Sequence, residues 1–140
     1  MEFGLANTNF KNQLKGSNWE LVTTPIYSLN TITILAQHIH YYINGINVVF
    51  NGGNLDIKDA YGFSFASMSS QAQWDTFLAQ FWKDAATFAS HIEQMPEEKL
   101  QAGFVDEKHG SYQRNIDAMI EHSYYHLGQI VLIKKMVCNA

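Results

Sequence analysis

The chain is 140 residues long, 46% hydrophobic, 14% aromatic and only 16% charged, and its nine basic and thirteen acidic side chains leave a formal charge of −4. That length is one domain's worth, enough to bury a core without disulfide or metal staples, so positions 1–140 read as a single domain. One arginine (Arg114), one cysteine (Cys138) and no apolar run approaching roughly 18 residues argue in turn against nucleic acid, a disulfide framework and a membrane span.

In chain order, residues from Leu5 to Leu14 can form a short helix ending at Gly16. The N-terminus carries no basic stretch leading into an apolar run, so no secretory signal is read and the expected compartment is the cytoplasm. The stretch from Ser17 to Asn30, with Trp19 and Pro25, reads as loop. From about Thr31 to Asn51, Ile32, Leu35, Ile39, Ile43, Ile46 and Phe50 recur at three- and four-residue intervals, which predicts a long helix with a broad apolar face. Asn30 is the expected N-cap and Gly52-Gly53 the stop. Asn51 to Ser69, with Gly52, Gly53 and Gly62 and the alternating Phe63 and Phe65, reads as an irregular crossover.

A second long helix is predicted from about Ser70 to Met95, where Ser70 and Gln73 fit a capping box and Trp74, Phe77, Leu78, Phe81, Phe88 and Ile92 form one stripe. Pro96 ends it. A third runs from about Ser111 to Val137, carrying Ile116, Met119, Leu127, Ile130 and Ile133, with Lys134 and Lys135 complementing the dipole of its last turns. Three long helices and a short first one imply an all-α fold, a four-helix bundle with a long crossover connection.

Six histidines stand out against this weakly charged background. His122 and His126 lie four apart and project side by side from one helix face, a spacing that can chelate one metal ion. The same spacing also serves solvated or locally hydrogen-bonded histidines. A third ligand must come from another helix. His38 and His40 are two apart and point in nearly opposite directions; His38 flanks the apolar stripe and is the better candidate, whereas His40, near Gln37, Asn44 and Asn47, is expected to face solvent. His91 reads as a capping or surface residue and His109 as part of a solvated turn. Glu121, Gln129 and Asn115 are close enough in sequence to orient the rings, with exposed or capping roles as the alternative for each. Tyr41, Tyr42, Tyr124 and Tyr125 are candidates to line the open side of a metal, or simply to pack with their phenols at a rim. No residue is marked as catalytic.

The run Glu121-His122-Ser123-Tyr124-Tyr125-His126-Leu127-Gly128-Gln129-Ile130 resembles the signature of DinB-like (DinB/YfiT) metal-binding proteins, whose last long helix carries a His-x-x-x-His-x-Gly-Gln-Ile motif. Their earlier helix holds a single histidine in a setting like Leu35-Ala36-Gln37-His38-Ile39, followed here by Tyr41-Tyr42. The likeness extends from about Asn30 onward and includes the helix led by Trp74. It implies that His38, His122 and His126 bind one divalent metal, zinc or nickel foremost, inside a four-helix bundle, and that the protein is a homodimer. Members of that family include bacillithiol-using thiol transferases, mycothiol-dependent isomerases and metal-dependent hydrolases.

The family usually begins with a full-length first helix, and here only about thirty residues precede Thr31, so either a partner subunit covers the gap or the pocket rim differs. The leading expectation is an enzyme whose metal activates a thiol or water against a small molecule, as a thiol S-transferase or hydrolase. The other expectations are a non-catalytic dimeric metal-binding or stress-associated module, and a bundle whose histidines are purely structural. In the enzyme reading any thiol used at the metal arrives with the small-molecule substrate or cofactor, because Cys138 lies so near the C-terminus.

Overall fold

A computed structural model describes residues 8–139 of the protein. Among the described residues the chain forms six α-helices and no β-strand: α1 (Phe10–Leu14), α2 (Trp19–Thr23), α3 (Ile32–Phe50), α4 (Gln71–Glu93), α5 (Glu97–Leu100) and α6 (Tyr112–Cys138). The fold is all-α. No described helix is long and apolar enough to cross a membrane.

The three long helices start where a hydroxyl can take up a free backbone N–H. Thr31, rather than the expected Asn30, caps α3, because its Oγ1 stands three residues before the N–H of Ile34 and accepts from it at 3.3 Å. Ser70 accepts from the N–H of Gln73 at 3.1 Å, and Ser111 from that of Arg114 at 3.0 Å. The Gln73 amide closes its side of the box one residue early, accepting from the N–H of Ser69 at 2.6 Å.

Helices α3 and α4 run in the same direction. Phe50 at the end of α3 stacks on Phe88 with ring centroids 5.8 Å apart and meets His91 at 5.6 Å, while Leu35 near its start shares a buried cluster with Trp74. Helix α6 runs the opposite way: Leu35 clusters with Ile130 and Ile133, and Ile46 with Met119. Parallel neighbours require the chain to travel back the length of α3, about 28 Å at 1.5 Å per residue. Residues 51–70 make that return. They lie close on α3, since a Cβ at Gly45 would collide with the side chain of Ile57, so a glycine in the middle of the helix gives the returning segment its seat.

The loop expected from Ser17 to Asn30 contains α2, which buries Val22 completely. Five residues are too few to carry a legible helical period, and a helix this short owes its stability to packing. The long helices supply that packing: Trp74 Nε1 donates to Ser17 Oγ at 2.9 Å, the Gln71 amide accepts from the N–H of Trp19 at 2.9 Å, and Lys134 Nζ donates to the carbonyl of Gln13 at 2.7 Å. Of the expected first helix, Phe10–Leu14 is helical, and Leu5 to Asn7 lie outside the described residues.

Two buried clusters result. One joins Leu14, Val22, Leu35, Trp74 and Ile130, and the other Ile39, Ile43, Phe81, Phe104 and Met119. His38 stands on α3 between Leu35 of the first cluster and Ile39 of the second.

Candidate metal centre

His38 lies on α3 between Leu35 and Ile39 and is 4% exposed; His126 on α6 is 5% exposed, and His122, one turn earlier, is half-buried. Antiparallel packing of α3 on α6 brings the three rings edge to edge. Nε2 of His38 is 3.1 Å from Nε2 of His122, and Nε2 of His126 is 2.9 Å from the same atom. One nitrogen from each ring lies within 4.8 Å of the other two.

The outward nitrogens decide what the inward ones can do. Nδ1 of His38 donates to the carbonyl of Gly62 at 2.5 Å, and Nδ1 of His126 donates to Oε1 of Gln129 at 2.6 Å. With the proton held on Nδ1 in both rings, both Nε2 atoms present lone pairs to the centre. His122 has one proton to give from Nε2, so it can satisfy one of these neighbours and leaves the other facing a lone pair. A cation among the three nitrogens satisfies all of them. A tetrahedral ion with Zn–N bonds of about 2.0–2.1 Å separates its ligand nitrogens by roughly 3.3 Å, close to the two spacings found here. The donor set therefore fits a divalent metal held by three neutral imidazoles.

The surroundings keep the rings neutral. Burial is the main cause lowering the pKa of all three. His122 is pushed down to about 4, mostly by burial and further by the repulsion it would feel as a cation beside His126 and His38. A metal ligand must be unprotonated, so these shifts favour binding at neutral pH.

The return segment closes over the site. Phe63 stacks flat on His38, with centroids 3.9 Å apart and ring planes 5° from parallel. Tyr42 meets His38 and His122 edge-on at 5.0 and 5.2 Å, and its hydroxyl donates to Oδ1 of Asp59 at 2.5 Å. Burial, then the Asp59 bond, raises the Tyr42 phenol to about 12, which keeps it a donor at physiological pH. Beyond Tyr42 and His122 lies a cavity of about 400 Å³ that also touches Asp59, Phe104, His109 and Asn115.

The other sequence candidates fall in different places. Tyr125 packs its ring edge on His126 at 4.9 Å but is 64% exposed, and Tyr124 is also exposed. Tyr41 anchors the return segment, its hydroxyl accepting from the N–H of Lys58 at 2.9 Å. Glu121 turns outward and pairs with Arg114 at 3.6 Å, since one residue before His122 is about 100° around the helix. Asn115 shares the cavity with His122 but gives its amide to the carbonyls of His109 and Ser111, at 2.7 and 2.8 Å. Of the three polar neighbours, Gln129 is the one bonded to a ligand ring.

His40 does not face solvent as expected. Helix α3 is flanked by α6 on one side and α4 on the other, so the residue opposite His38 meets α4, where His40 Nε2 lies 2.6 Å from Oδ2 of Asp84. His91 sits half-buried at the end of α4 against Phe50, and His109 lies half-buried on a short 3₁₀ turn at the cavity rim, 3.8 Å from Asp106.

Three contributors escaped the sequence reading. The Gly62 carbonyl leaves no side-chain signature, and Asp59 and Phe63 belong to a segment without periodicity. The one usable signal was the glycine itself: a Cβ at position 62 would stand 3.2 Å from Nδ1 of His38, so only glycine lets the carbonyl approach without crowding the ring.

Compared with models of protein families, with curated proteins and with solved structures, the chain matches none. What the site can do follows from its own geometry.

Proposed function

We propose that the protein is a DinB-like metal enzyme, a four-helix bundle in which α1 and α2 together take the place of a full first helix. His38, His122 and His126 hold one divalent ion, zinc or nickel, that activates a thiol or water toward a small molecule, as a thiol S-transferase or hydrolase. One observation carries the reading: three Nε2 atoms converge while two of the Nδ1 atoms are committed to Gly62 and Gln129. Three imidazoles and an open fourth position are a catalytic rather than a closed structural donor set, and they suit zinc, nickel, iron or copper. When bound, such an ion lowers the pKa of a thiol or water at the open position to near neutrality. The chain's own part is to aim the rings through Gly62 and Gln129, to cover His38 with Phe63, and to offer an apolar cavity beside His122.

The test begins with elemental analysis of protein purified without an affinity tag. About one zinc or nickel per chain is expected; less than a few tenths, with no uptake from added zinc or nickel, overturns the reading. Thiol transfer to monochlorobimane then separates an enzyme from a non-catalytic metal-binding module, because activity at this centre is lost in His126→Ala.

The reading includes a homodimer and a cytoplasmic setting. A groove of about 420 Å³ between the start of α1 and helices α4 and α6 is lined by Phe10, Phe88, Ile120 and Tyr124, and a second copy of the chain would cover it. Light scattering of the eluting protein reads the dimer directly. The one cysteine, Cys138, is exposed and free, as suits a reducing compartment.

A further inference from the structure

The cavity beside His122 has a chemical character of its own. Its walls are mostly apolar, built from Ile46, Leu55, Ile57, Phe104 and Met119. Among the residues that line it, Asp59 alone is formally charged with histidines neutral, and no lysine or arginine side chain reaches it. The Tyr42 hydroxyl holds Oδ1 of Asp59 at the metal end of the cavity, and Oδ2 makes no hydrogen bond among the described residues. A ligand in this cavity meets an apolar wall, the Asp59 carboxylate with a free acceptor, and the ring of His122.

We infer that the small molecule this site takes has an apolar body and a neutral or cationic, hydrogen-bond-donating group beside its reactive head, and is not an anion elsewhere in its structure. This deepens the proposed function and rests on it. A divalent ion with three neutral imidazoles carries two positive charges. A thiolate head balances one and Asp59 the other, so a further carboxylate or phosphate on the ligand would find no lysine or arginine to pair with and would stand near Asp59. An ammonium or hydroxyl instead donates to Oδ2. Sequence distance hides this arrangement, since Tyr42 and Asp59 are separated by 17 residues and lie on different elements.

Three thiols of similar length test it: cysteamine, 2-mercaptoethanol and 3-mercaptopropionate. Each is titrated into the cobalt(II)-loaded full chain, and binding is read from the sulfur-to-cobalt charge-transfer band rather than from activity. The thiols differ in intrinsic pKa, so the quantity compared is the ratio of cysteamine to 3-mercaptopropionate affinity in the unaltered protein and in Asp59→Asn. Asparagine keeps an acceptor for Tyr42 and removes only the charge. Because Asp59 is solvent-exposed, one contact with it is worth a factor of about five, so the ratio is expected to fall about fivefold in the variant. A ratio equal in the two proteins overturns the inference and leaves the metal centre standing. A cobalt-loaded protein that shows no charge-transfer band with any of the three thiols overturns the inference together with the thiol-transfer arm of the proposed function, while the metal content itself is decided by the elemental analysis.

Discussion

Nδ1 of His38 donates to the carbonyl of Gly62 across 24 residues of chain, at 2.5 Å. The bond ties the middle of α3 to the segment that returns the chain to the start of α4, and it determines which nitrogen of His38 faces the other two histidines. A site described by its three ligands alone would omit half of what orients it.

Gly62→Ala tests that tie. The new methyl group meets His38 Nδ1 at 3.2 Å and its Cε1 at 3.3 Å, so either the ring turns or the segment lifts. Zinc affinity, measured by competition with a chromogenic chelator, is expected to fall about 10-fold or more, the effect typical of a lost orienting partner. Helical content by circular dichroism should be unchanged.

Gln129→Leu removes the acceptor for His126 Nδ1 while leaving a side chain of similar size. A zinc affinity about 10–100-fold weaker is expected, with Gln129→Glu recovering most of it. Equal affinity in Gln129→Leu would show that packing alone orients the ring.

Acid should destabilise the metal-free protein. His122 has its folded-state pKa lowered from 6.5 to about 4, so between those values the unfolded chain binds a proton that the folded chain refuses. Stability is therefore intact above pH 6.5 and is lost progressively as the pH falls toward 4. Urea midpoints of metal-free protein at several pH values measure this, and His122→Phe should make the profile shallower, the remaining slope coming from His38 and His126. For the same reason zinc affinity should change little between pH 8 and 6.5, where His122 is already neutral.

The two histidines of α3 should separate cleanly. His38→Ala is expected to reduce bound zinc to background. His40→Ala should leave the zinc content intact and lower stability by about 1–2 kcal/mol, through loss of the half-buried bond to Asp84. Zinc loss in His40→Ala would mean that the α3–α4 contact, and not only the ligand set, holds the centre together.

The three long helices were legible, and the Ser70 cap of α4 with them, because both are local; at α3 the cap fell on Thr31, one residue after the expected Asn30. A stripe repeating every three to four residues over α3, α4 and α6 reports which side of a helix is buried, whatever it is buried against. The pairing of His122 with His126 followed from the same periodicity, and so did the choice of His38 over His40 as the residue turned toward them. Short elements lacked that redundancy. Helix α2 exists because Val22 and the Ser17–Trp74 bond find partners more than fifty residues away, and no five-residue pattern announces it.

By itself, then, the amino-acid sequence determined the helical class, the phase of each long helix and the all-imidazole character of the candidate site, since each is a property of residue type and near-neighbour spacing. Only the tertiary structure decided that three Nε2 atoms converge, that Gly62 and Gln129 orient two of the rings, that Phe63 and Asp59 shape the approach, and that His40 is held by α4. Those relationships join residues that are distant along the chain, through a backbone carbonyl and an aperiodic segment, and they come into being only when α3 lies parallel to α4 and antiparallel to α6.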